Sequence, residues 1–312
     1  MAQDVPQSGP GGPVPAGGLA GGDSIAQHPV VREALAHVPG EVVGLAPLQG
    51  GSVNRTFRVD TRSGAFVLRS SPTTDAWLVS DRSVERRLHA LAAGAGLAPK
   101  IVHADAKDRW LITEFVAGPV WTDAEFGNPD SLARLGATLR WLHGIPAPSF
   151  GRFDLLEVLG GYAQRLEPAR VSGEVPPANY VQEAAFAWSL SGGTTRPPAV
   201  LHHDLHGSNL IDADQGLMLI DWECGVVNDP LLDVACVLSY FSAARPHAEI
   251  LLKSAGLGSV TERQLAASVW LFDLHTWFWY RERKLRIAPT AGEIAAEQQL
   301  AAAVARGVPG TF

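Results

Sequence analysis

Residues 201–210 read Leu-His-His-Asp-Leu-His-Gly-Ser-Asn-Leu, and Ile-Asp-Trp-Glu follows at 220–223. Asp204 precedes Asn209 by five residues, so a tight loop can direct both side chains towards one space. The segment between the two motifs predicts a β-hairpin, which would return Asp221 beside Asn209. Phosphoryl transfer from ATP needs a carboxylate at the acceptor hydroxyl and oxygen ligands for Mg²⁺. The pattern therefore predicts a catalytic loop followed by a metal-binding aspartate.

A third motif, Asp-Pro-Leu-Leu-Asp at 229–233, completes a resemblance to a known family. The order His-x-Asp-x4-Asn, Ile-Asp-Trp-Glu and Asp-Pro-x-x-Asp resembles the kinase-like phosphotransferase superfamily of aminoglycoside, choline, ethanolamine and thiamine kinases. The resemblance covers roughly residues 35–285 and is closest to the choline and thiamine branch. It implies an α+β, bilobal protein-kinase-like fold. A small antiparallel β lobe with one main helix would precede a larger, mostly helical lobe that carries the catalytic loop on a β-hairpin.

The resemblance also implies a role for each matching residue. Asp204 would be the catalytic base, and Asn209 and Asp221 would hold Mg²⁺. The carboxylate of Asp233 would accept hydrogen bonds from the backbone of the catalytic loop, and His202 would brace that loop from the interior.

The remaining histidines and Asp229 have separate interpretations. His203 and His206 are expected to line the cleft, with His206 approaching the acceptor. Asp229, which directly precedes a proline, is expected to cap the following helix. The histidines and Asp204 could instead belong to a metallohydrolase site. Their spacing matches no zinc signature well, and no further ligands are obvious.

Upstream motifs resemble the nucleotide site of choline and thiamine kinases. Residues 48–57, Leu-Gln-Gly-Gly-Ser-Val-Asn-Arg-Thr-Phe, are similar to the loop that covers the phosphates, where glycines let backbone amides approach oxygen atoms. Residues 113–118, Thr-Glu-Phe-Val-Ala-Gly, resemble the hinge whose backbone pairs with adenine. Each short pattern is common without function, so their order carries the argument. The residues assigned to ATP are Gly50, Gly51, Ser52, Asn54, Arg69, Glu85, Glu114, Phe115 and Val116, with Arg69 on the phosphates and Glu85 as its ion-pair partner.

The acceptor is predicted to be a small cationic metabolite. Glu223 follows Asp221 by two residues, so on an extended segment it could share the cleft side. Trp277 lies on one helix face with Trp270 and Leu274, which by default is a core stripe, but an aromatic face also attracts cations. The predicted acceptor residues are therefore His206, Glu223 and Trp277. Choline, ethanolamine and thiamine qualify as acceptors, an aminoglycoside or other amino alcohol is the alternative, and an inactive nucleotide-binding scaffold is the remote one.

Composition limits the other function classes. The 25 Lys plus Arg against 32 Asp plus Glu give a net charge of -7, which argues against a nucleic-acid partner. Two cysteines, Cys224 and Cys236, support neither a disulfide framework nor a CxxC metal site, which favours a reducing, cytoplasmic location. No apolar run approaches the roughly 18 residues that a spanning helix needs. A homodimer is left open.

Composition and hydrophobic periodicity along the chain predict three regions. Residues 1–24 are rich in Gly and Pro and predict a disordered tail without a secretory signal. Residues 25–117 would form the N-terminal nucleotide-binding lobe, and residues 118–312 the C-terminal catalytic and acceptor-binding lobe. Strands are predicted at 42–48, 53–61, 65–69, 100–104 and 110–115, and helices from 80 to about 94 and near 130–143, 155–166, 179–190, 230–244 and 261–285.

Overall fold

The computed structural model describes residues 28–48, 54–71, 81–170 and 180–308. These residues belong to two compact units. The β unit comprises residues 28–121 and Gly207–Gly225, and the helical unit comprises Thr122–His206 and residues 226–308. The predicted tail at 1–24 lies outside the described residues.

A five-stranded antiparallel sheet with the order β1-β2-β3-β5-β4 forms the centre of the β unit. Successive side chains of a strand point to opposite faces. Phe57, Leu68 and Ile112 therefore share one face, which packs against helix α1 (Pro29–Leu35) and is buried. Arg69 is left on the opposite face. The strands are β1 (Val42–Pro47), β2 (Arg55–Thr61), β3 (Gly64–Ser70), β4 (Ile101–Ala104) and β5 (Trp110–Glu114), which confirms the five predicted strands.

Helix α2 (Arg82–Gly94) follows the third strand, as predicted. Its N-terminus is capped by Asp81, whose carboxylate accepts a hydrogen bond from the N–H of Ser83 at 2.8 Å. On its inner side, the ring of His89 stacks on the fully buried ring of Trp222, with centroids 6.3 Å apart. This packing fixes the segment after Asp221 against the helix.

The predicted hairpin is present as β7 (Leu210–Ala213) and β8 (Gly216–Leu219), between short 3₁₀ turns at Gly207–Asn209 and Trp222–Cys224. The sequence analysis assigns this segment to the C-terminal lobe, whereas the structure groups it with the β unit. Backbone hydrogen bonds explain the difference. The N–H of Trp121 donates to the carbonyl of Leu210 at 3.0 Å, and the N–H of Leu219 donates to the carbonyl of Leu97 at 2.8 Å.

The helical unit is organised around one long central helix, α9. This helix packs against α5, α6, α7 and α10, and its buried residues Trp270, Leu274 and Trp277 belong to the main core of the unit. The predicted α+β fold class is therefore confirmed. The elements are α3 (Asp123–Phe126), α4 (Pro129–His143), α5 (Leu155–Arg170), α6 (Tyr180–Ser191), β6 (Ala199–Leu201), β9 (Val226–Asn228), α7 (Leu231–Tyr240), α8 (Ala248–Ser254), α9 (Glu262–Lys284) and α10 (Ala291–Ala305), with β6 and β9 paired antiparallel.

Two features of the helical unit differ from the sequence analysis. The helix predicted to reach residue 244 ends at Tyr240, because Phe241 is extended and its ring stacks on that of Phe126 at 3.5 Å. Helix α10 was not predicted, since its alanine-rich sequence has weak apolar periodicity. This helix covers one side of α9.

No helix in the described part of the chain has the length and apolarity required to cross a lipid bilayer.

We expect Gly118→Ala to destabilise the β unit. Gly118 has φ +152°, and a Cβ atom there would lie 2.1 Å from the carbonyl oxygen of Asp212 in β7. Thermal or urea unfolding should show a loss of about 2 kcal/mol from this overpacking and strain. Gly160→Ala is the control, because its helical site has open space and should be neutral or gain up to about 1 kcal/mol. Equal stability of the two variants would contradict the close approach.

Candidate functional site

One face of the sheet opens into a cavity of about 190 Å³ within the β unit. Arg69 is flanked in register by Thr56 on β2 and Leu111 on β5, and Val67 is paired with Thr113. These five side chains share a face because directly paired residues point the same way. The cavity is lined by Leu48, Thr56, Val67, Arg69, His89, Pro99, Leu111, Thr113, Glu114, Phe115, Val116, Ser208, Asn209, Ile211, Ile220, Asp221 and Trp222.

Arg69 is the central charge of this cavity. Its guanidinium donates to the carboxylate of Glu85 on α2 and, at 3.1 Å, to Oδ1 of Asp221. Burial opposes the charge of each partner, yet the ion pair raises the pKa of Arg69 and lowers the pKa of Glu85. Both groups of that ion pair are therefore charged at neutral pH. The predicted Arg69–Glu85 pair is present.

Asp221 and Asn209 together line the cavity, as the hairpin predicted. Asp221 has left-handed backbone angles, φ 61° and ψ 72°, a strained conformation that aspartate tolerates better than most residues. Carboxylate and amide oxygens are the ligands that Mg²⁺ prefers. The donor set of these two residues therefore fits that ion.

Glu223, predicted to face the acceptor, contacts Asn54 and Arg82 of the same unit. Its Oε2 accepts a hydrogen bond from Nδ2 of Asn54 at 2.6 Å and lies 3.5 Å from a guanidinium nitrogen of Arg82. Burial and the negative charge of Asp221 raise the pKa of Glu223, against the opposing influence of Arg69 and Arg82. Asn54, predicted to bind ATP, is buried in this network.

The other residues predicted to bind ATP fall into two groups. Glu114, Phe115 and Val116 line the cavity at the end of β5. Glu114 is an exposed residue. Gly50, Gly51 and Ser52 lie outside the described residues.

In the helical unit, Asp233 anchors the loop that begins the 201–210 motif. Its carboxylate accepts hydrogen bonds from the backbone N–H of His203 at 2.8 Å and of His202 at 3.3 Å, and it pairs with Nε2 of His143 at 2.9 Å. Two residues after His203, the N–H of Leu205 donates to Sγ of Cys236 at 3.2 Å. The predicted structural role of Asp233 is confirmed.

Asp204 lies between these two anchor points and has two polar neighbours. The hydroxyl of Tyr240 donates to Oδ1 at 3.3 Å, and Nε2 of His206 lies 3.4 Å from Oδ2. Burial opposes ionisation, but the charge and hydrogen bonds of His206 and the Tyr240 hydroxyl lower the pKa of Asp204 below its ordinary value. The carboxylate is therefore ionised and held at both oxygens.

His202 and His203 are both buried in the interior of the helical unit. His202 is fully buried, as expected for a bracing residue. His203, expected to line the cleft, packs among Phe153, Phe272 and His275, with ring centroids 5.3 to 5.5 Å away. Burial lowers the pKa of His203. Burial and the neighbouring ring of His203 lower the pKa of His275 to about 3. Across the described ranges, no group of three or more His, Cys, Asp or Glu side chains is arranged to hold a metal ion.

Two further predicted positions have clear surroundings. Asp229 accepts a hydrogen bond at 3.0 Å from the N–H of Leu231, the first residue of α7, and it also pairs with Arg196. Trp277, predicted as an acceptor residue, is 6% exposed in the core, and its Nε1 donates to Glu297 of α10 at 3.3 Å. This packing favours the core interpretation of Trp277.

Sequence reasoning missed two residues that the structure brings to the predicted ones. Tyr240 contacts Asp204 although 36 residues separate them, and no local pattern signals that contact. Arg82 contacts Glu85, Asn54 and Glu223. The i,i+3 spacing of Arg82 and Glu85 on one helix was a usable signal for the first of these contacts only.

Comparisons with known proteins agree with the kinase-like fold that the sequence predicted. The sequence model of the "Phosphotransferase enzyme family" matches residues 44–267. A thiamine kinase from Shigella boydii serotype 4 is 30% identical over 246 residues, 76% of this chain and 81% of the relative. A choline/ethanolamine kinase family protein from Mesorhizobium loti superposes with a TM-score of 0.70 at 25% identity, covering 91% of both chains. Choline kinase LicA from Streptococcus pneumoniae gives 0.72 at 19% identity, covering 89% and 98%. The predicted kinase-like fold is thereby confirmed.

We expect acid to destabilise the protein in part through Asp233. Burial opposes its charge, but the hydrogen bond and charge of His143 lower its pKa below the ordinary value. Such a carboxylate adds stability above its unfolded-state pKa, and that stability is lost as the pH falls through the folded-state pKa. Urea unfolding between about pH 6 and pH 2 should therefore show a smaller acid loss in Asp233→Asn than in wild type.

Asp214→Asn is the matched control, because Asp214 is an exposed residue of the β7–β8 turn. This variant should follow the wild-type acid profile. An identical profile for Asp233→Asn would remove Asp233 as a titrating group.

Proposed function

The chain belongs to the phosphotransferase enzyme family, and we propose from this premise that it transfers the γ-phosphoryl group of ATP to a hydroxyl of a small cationic metabolite. It is a small-molecule kinase, and the family implies the use of ATP. The observation that carries the nucleotide part of the proposal is the cluster of Arg69, Glu85 and Asp221, in which Arg69 and Asp221 line the cavity together with Asn209.

The β unit would receive ATP. In this proposal the backbone of 114–116 pairs with adenine, and Arg69 holds the α- and β-phosphates. Asn209 and Asp221 would hold Mg²⁺, which supplies charge neutralisation at the phosphate oxygens when bound. Val67, Leu111 and Ile220, which line the same cavity, offer the apolar surface that a base requires.

Asp204 would orient the acceptor hydroxyl and receive its proton. Tyr240 and His206 hold the carboxylate in place before the acceptor arrives, so its orientation costs little at the moment of reaction. A carboxylate with a lowered pKa is a weak base, and it suits a loose transition state in which the hydroxyl proton leaves late. Position therefore matters more than basic strength.

The acceptor class rests on the relatives and on Asp204. The relative that this chain matches over 81% of its length is named a thiamine kinase. Thiamine carries a permanent positive charge and a primary hydroxyl. Asp204 is ionised, and the half-buried ring of Tyr240 adjoins it. A negative charge beside an aromatic face favours a cation. His206, the second neighbour of Asp204, would approach the same acceptor.

The experiment is ATP consumption by the full-length chain with Mg²⁺ and a panel of thiamine, choline, ethanolamine, homoserine and kanamycin. We expect thiamine or choline to exceed the neutral or polycationic acceptors by about tenfold or more in kcat/KM. Turnover with kanamycin alone would replace the metabolite by an aminoglycoside. ATP binding without turnover on any acceptor would favour the inactive scaffold.

We expect Asp204→Asn and Asp221→Ala to fail in different ways. Asp204→Asn should lower kcat by about 10² to 10⁴, the usual range for an acid or base, with ATP affinity within about threefold. Asp221→Ala should weaken Mg·ATP binding and turnover together, because a hard cation loses a carboxylate oxygen. Calorimetry with Mg²⁺ and ATP and steady-state kinetics separate the two. Near-native turnover in Asp204→Asn would overturn the assignment of the base.

A further inference from the structure

Arg82 is the first residue of helix α2, where a positive charge does not complement the helix dipole. Its side chain is nevertheless only 15% exposed. Its guanidinium donates to Oε2 of Glu85 at 2.7 Å and to Oδ1 of Asn54 at 3.0 Å, and it lies 3.5 Å from Oε2 of Glu223. One side chain thus joins the start of α2 to the start of β2 and to the turn after β8.

Each partner of Arg82 is directly connected to the proposed nucleotide site. Glu85 holds Arg69 on β3. Asn54 donates to Glu223 at 2.6 Å and accepts from the hydroxyl of Ser71, at the end of β3, at 2.9 Å. Glu223 follows the proposed Mg²⁺ ligand by two residues. Arg82 itself does not line the cavity.

The charges in this part of the β unit make Arg82 necessary. Three carboxylates, those of Glu85, Asp221 and Glu223, face two guanidiniums, those of Arg69 and Arg82. Without Arg82, Arg69 alone would oppose the carboxylates of Glu85 and Asp221, and the buried carboxyl group of Glu223, whose pKa is already raised, would lose its contact with Arg82. A buried carboxylate that loses its partner is strongly unfavourable, and the excess negative charge would oppose a bound triphosphate.

We propose that Arg82 is a positioning residue of the ATP site, which holds Asn54, Glu85 and Glu223 in place and keeps this part of the cavity wall compatible with a triphosphate. The inference rests on the proposed function, since it assumes that the cavity binds ATP. Arg82 acts through its three partners, and it touches neither the nucleotide nor the acceptor in this account.

A lysine cannot fully replace this arginine. The planar guanidinium reaches three acceptors on different elements in a fixed geometry, whereas an ammonium is a compact point charge. Arg82→Lys should therefore restore the charge but only part of the geometry. Arg82→Met removes both and keeps much of the side-chain volume.

The test is calorimetric binding of Mg·ATP and of adenosine to full-length wild type, Arg82→Met and Arg82→Lys. We expect Arg82→Met to weaken Mg·ATP by about tenfold or more and adenosine by less than about twofold, because the excess negative charge acts on the phosphates. Arg82→Lys should fall between wild type and Arg82→Met. In steady-state kinetics, KM for ATP should rise while KM for the acceptor stays within about twofold.

Arg86→Met is the matched control. Arg86 lies one turn further along α2 and pairs with Asp108, a pair about one third exposed, outside the network of Arg82. Its nucleotide affinities should equal those of wild type. A second check is the Arg82→Met, Glu223→Gln double variant, in which the loss of ATP affinity should be smaller than the sum of the single losses.

The outcomes separate this inference from the proposed function. Wild type that binds neither Mg·ATP nor adenosine would overturn the proposed function. Wild type that binds ATP as tightly as a folded Arg82→Met variant would overturn the role of Arg82 alone. Equal losses for ATP and adenosine would also overturn it, since they indicate a general structural defect. If Arg82→Met does not fold, Arg82→Lys gives the same comparison between the two ligands.

Discussion

The buried guanidinium of Arg69 is the interaction on which the β unit depends. A charge at this depth is tolerated only with ionised partners, and Arg69 takes one from α2 and one from the turn after β8. The sheet, helix α2 and the hairpin must therefore all be folded before any of the three buried charges is stabilised by its partners. The same requirement explains why Asp221 accepts a left-handed backbone, because its carboxylate has to meet Arg69 at 3.1 Å.

The helical unit uses a different device to hold Asp204. Asp233 binds backbone N–H groups before Asp204, and the thiol of Cys236 accepts the N–H directly after it. His203, between these anchors, also has a left-handed backbone, φ 64°, and its neutral ring fills an aromatic pocket. Backbone bonds and packing therefore fix the loop, and the side chain of Asp204 remains available for Tyr240 and His206.

The sequence predicted those features that depend on neighbouring residues or on motifs in a fixed order along the chain. The five strands, the hairpin and the Arg69–Glu85 pair follow from periodicity, turn residues and motif order. The environment of Trp277 does not, because its core character depends on α10, an alanine-rich helix whose Glu297 accepts its indole N–H. The contacts of Glu223 were not predicted for a related reason. Alternation along an extended segment ignores the 3₁₀ turn at Trp222–Cys224 and the distant partners Asn54 and Arg82.

The charge balance of the β unit also bears on how an acceptor would be recognised. The carboxylates of Glu85 and Glu223 are engaged with Arg69, Arg82 and Asn54, so neither is available to a cationic acceptor without breaking the network. In the helical unit, Asp273 is bonded to Ser239 at 2.5 Å, and burial raises its pKa to about 6. Asp204 keeps a lowered pKa beside Tyr240. The group proposed to receive the proton is thus also the carboxylate best suited to attract a cation, so binding and orientation of the acceptor would depend on the same side chain.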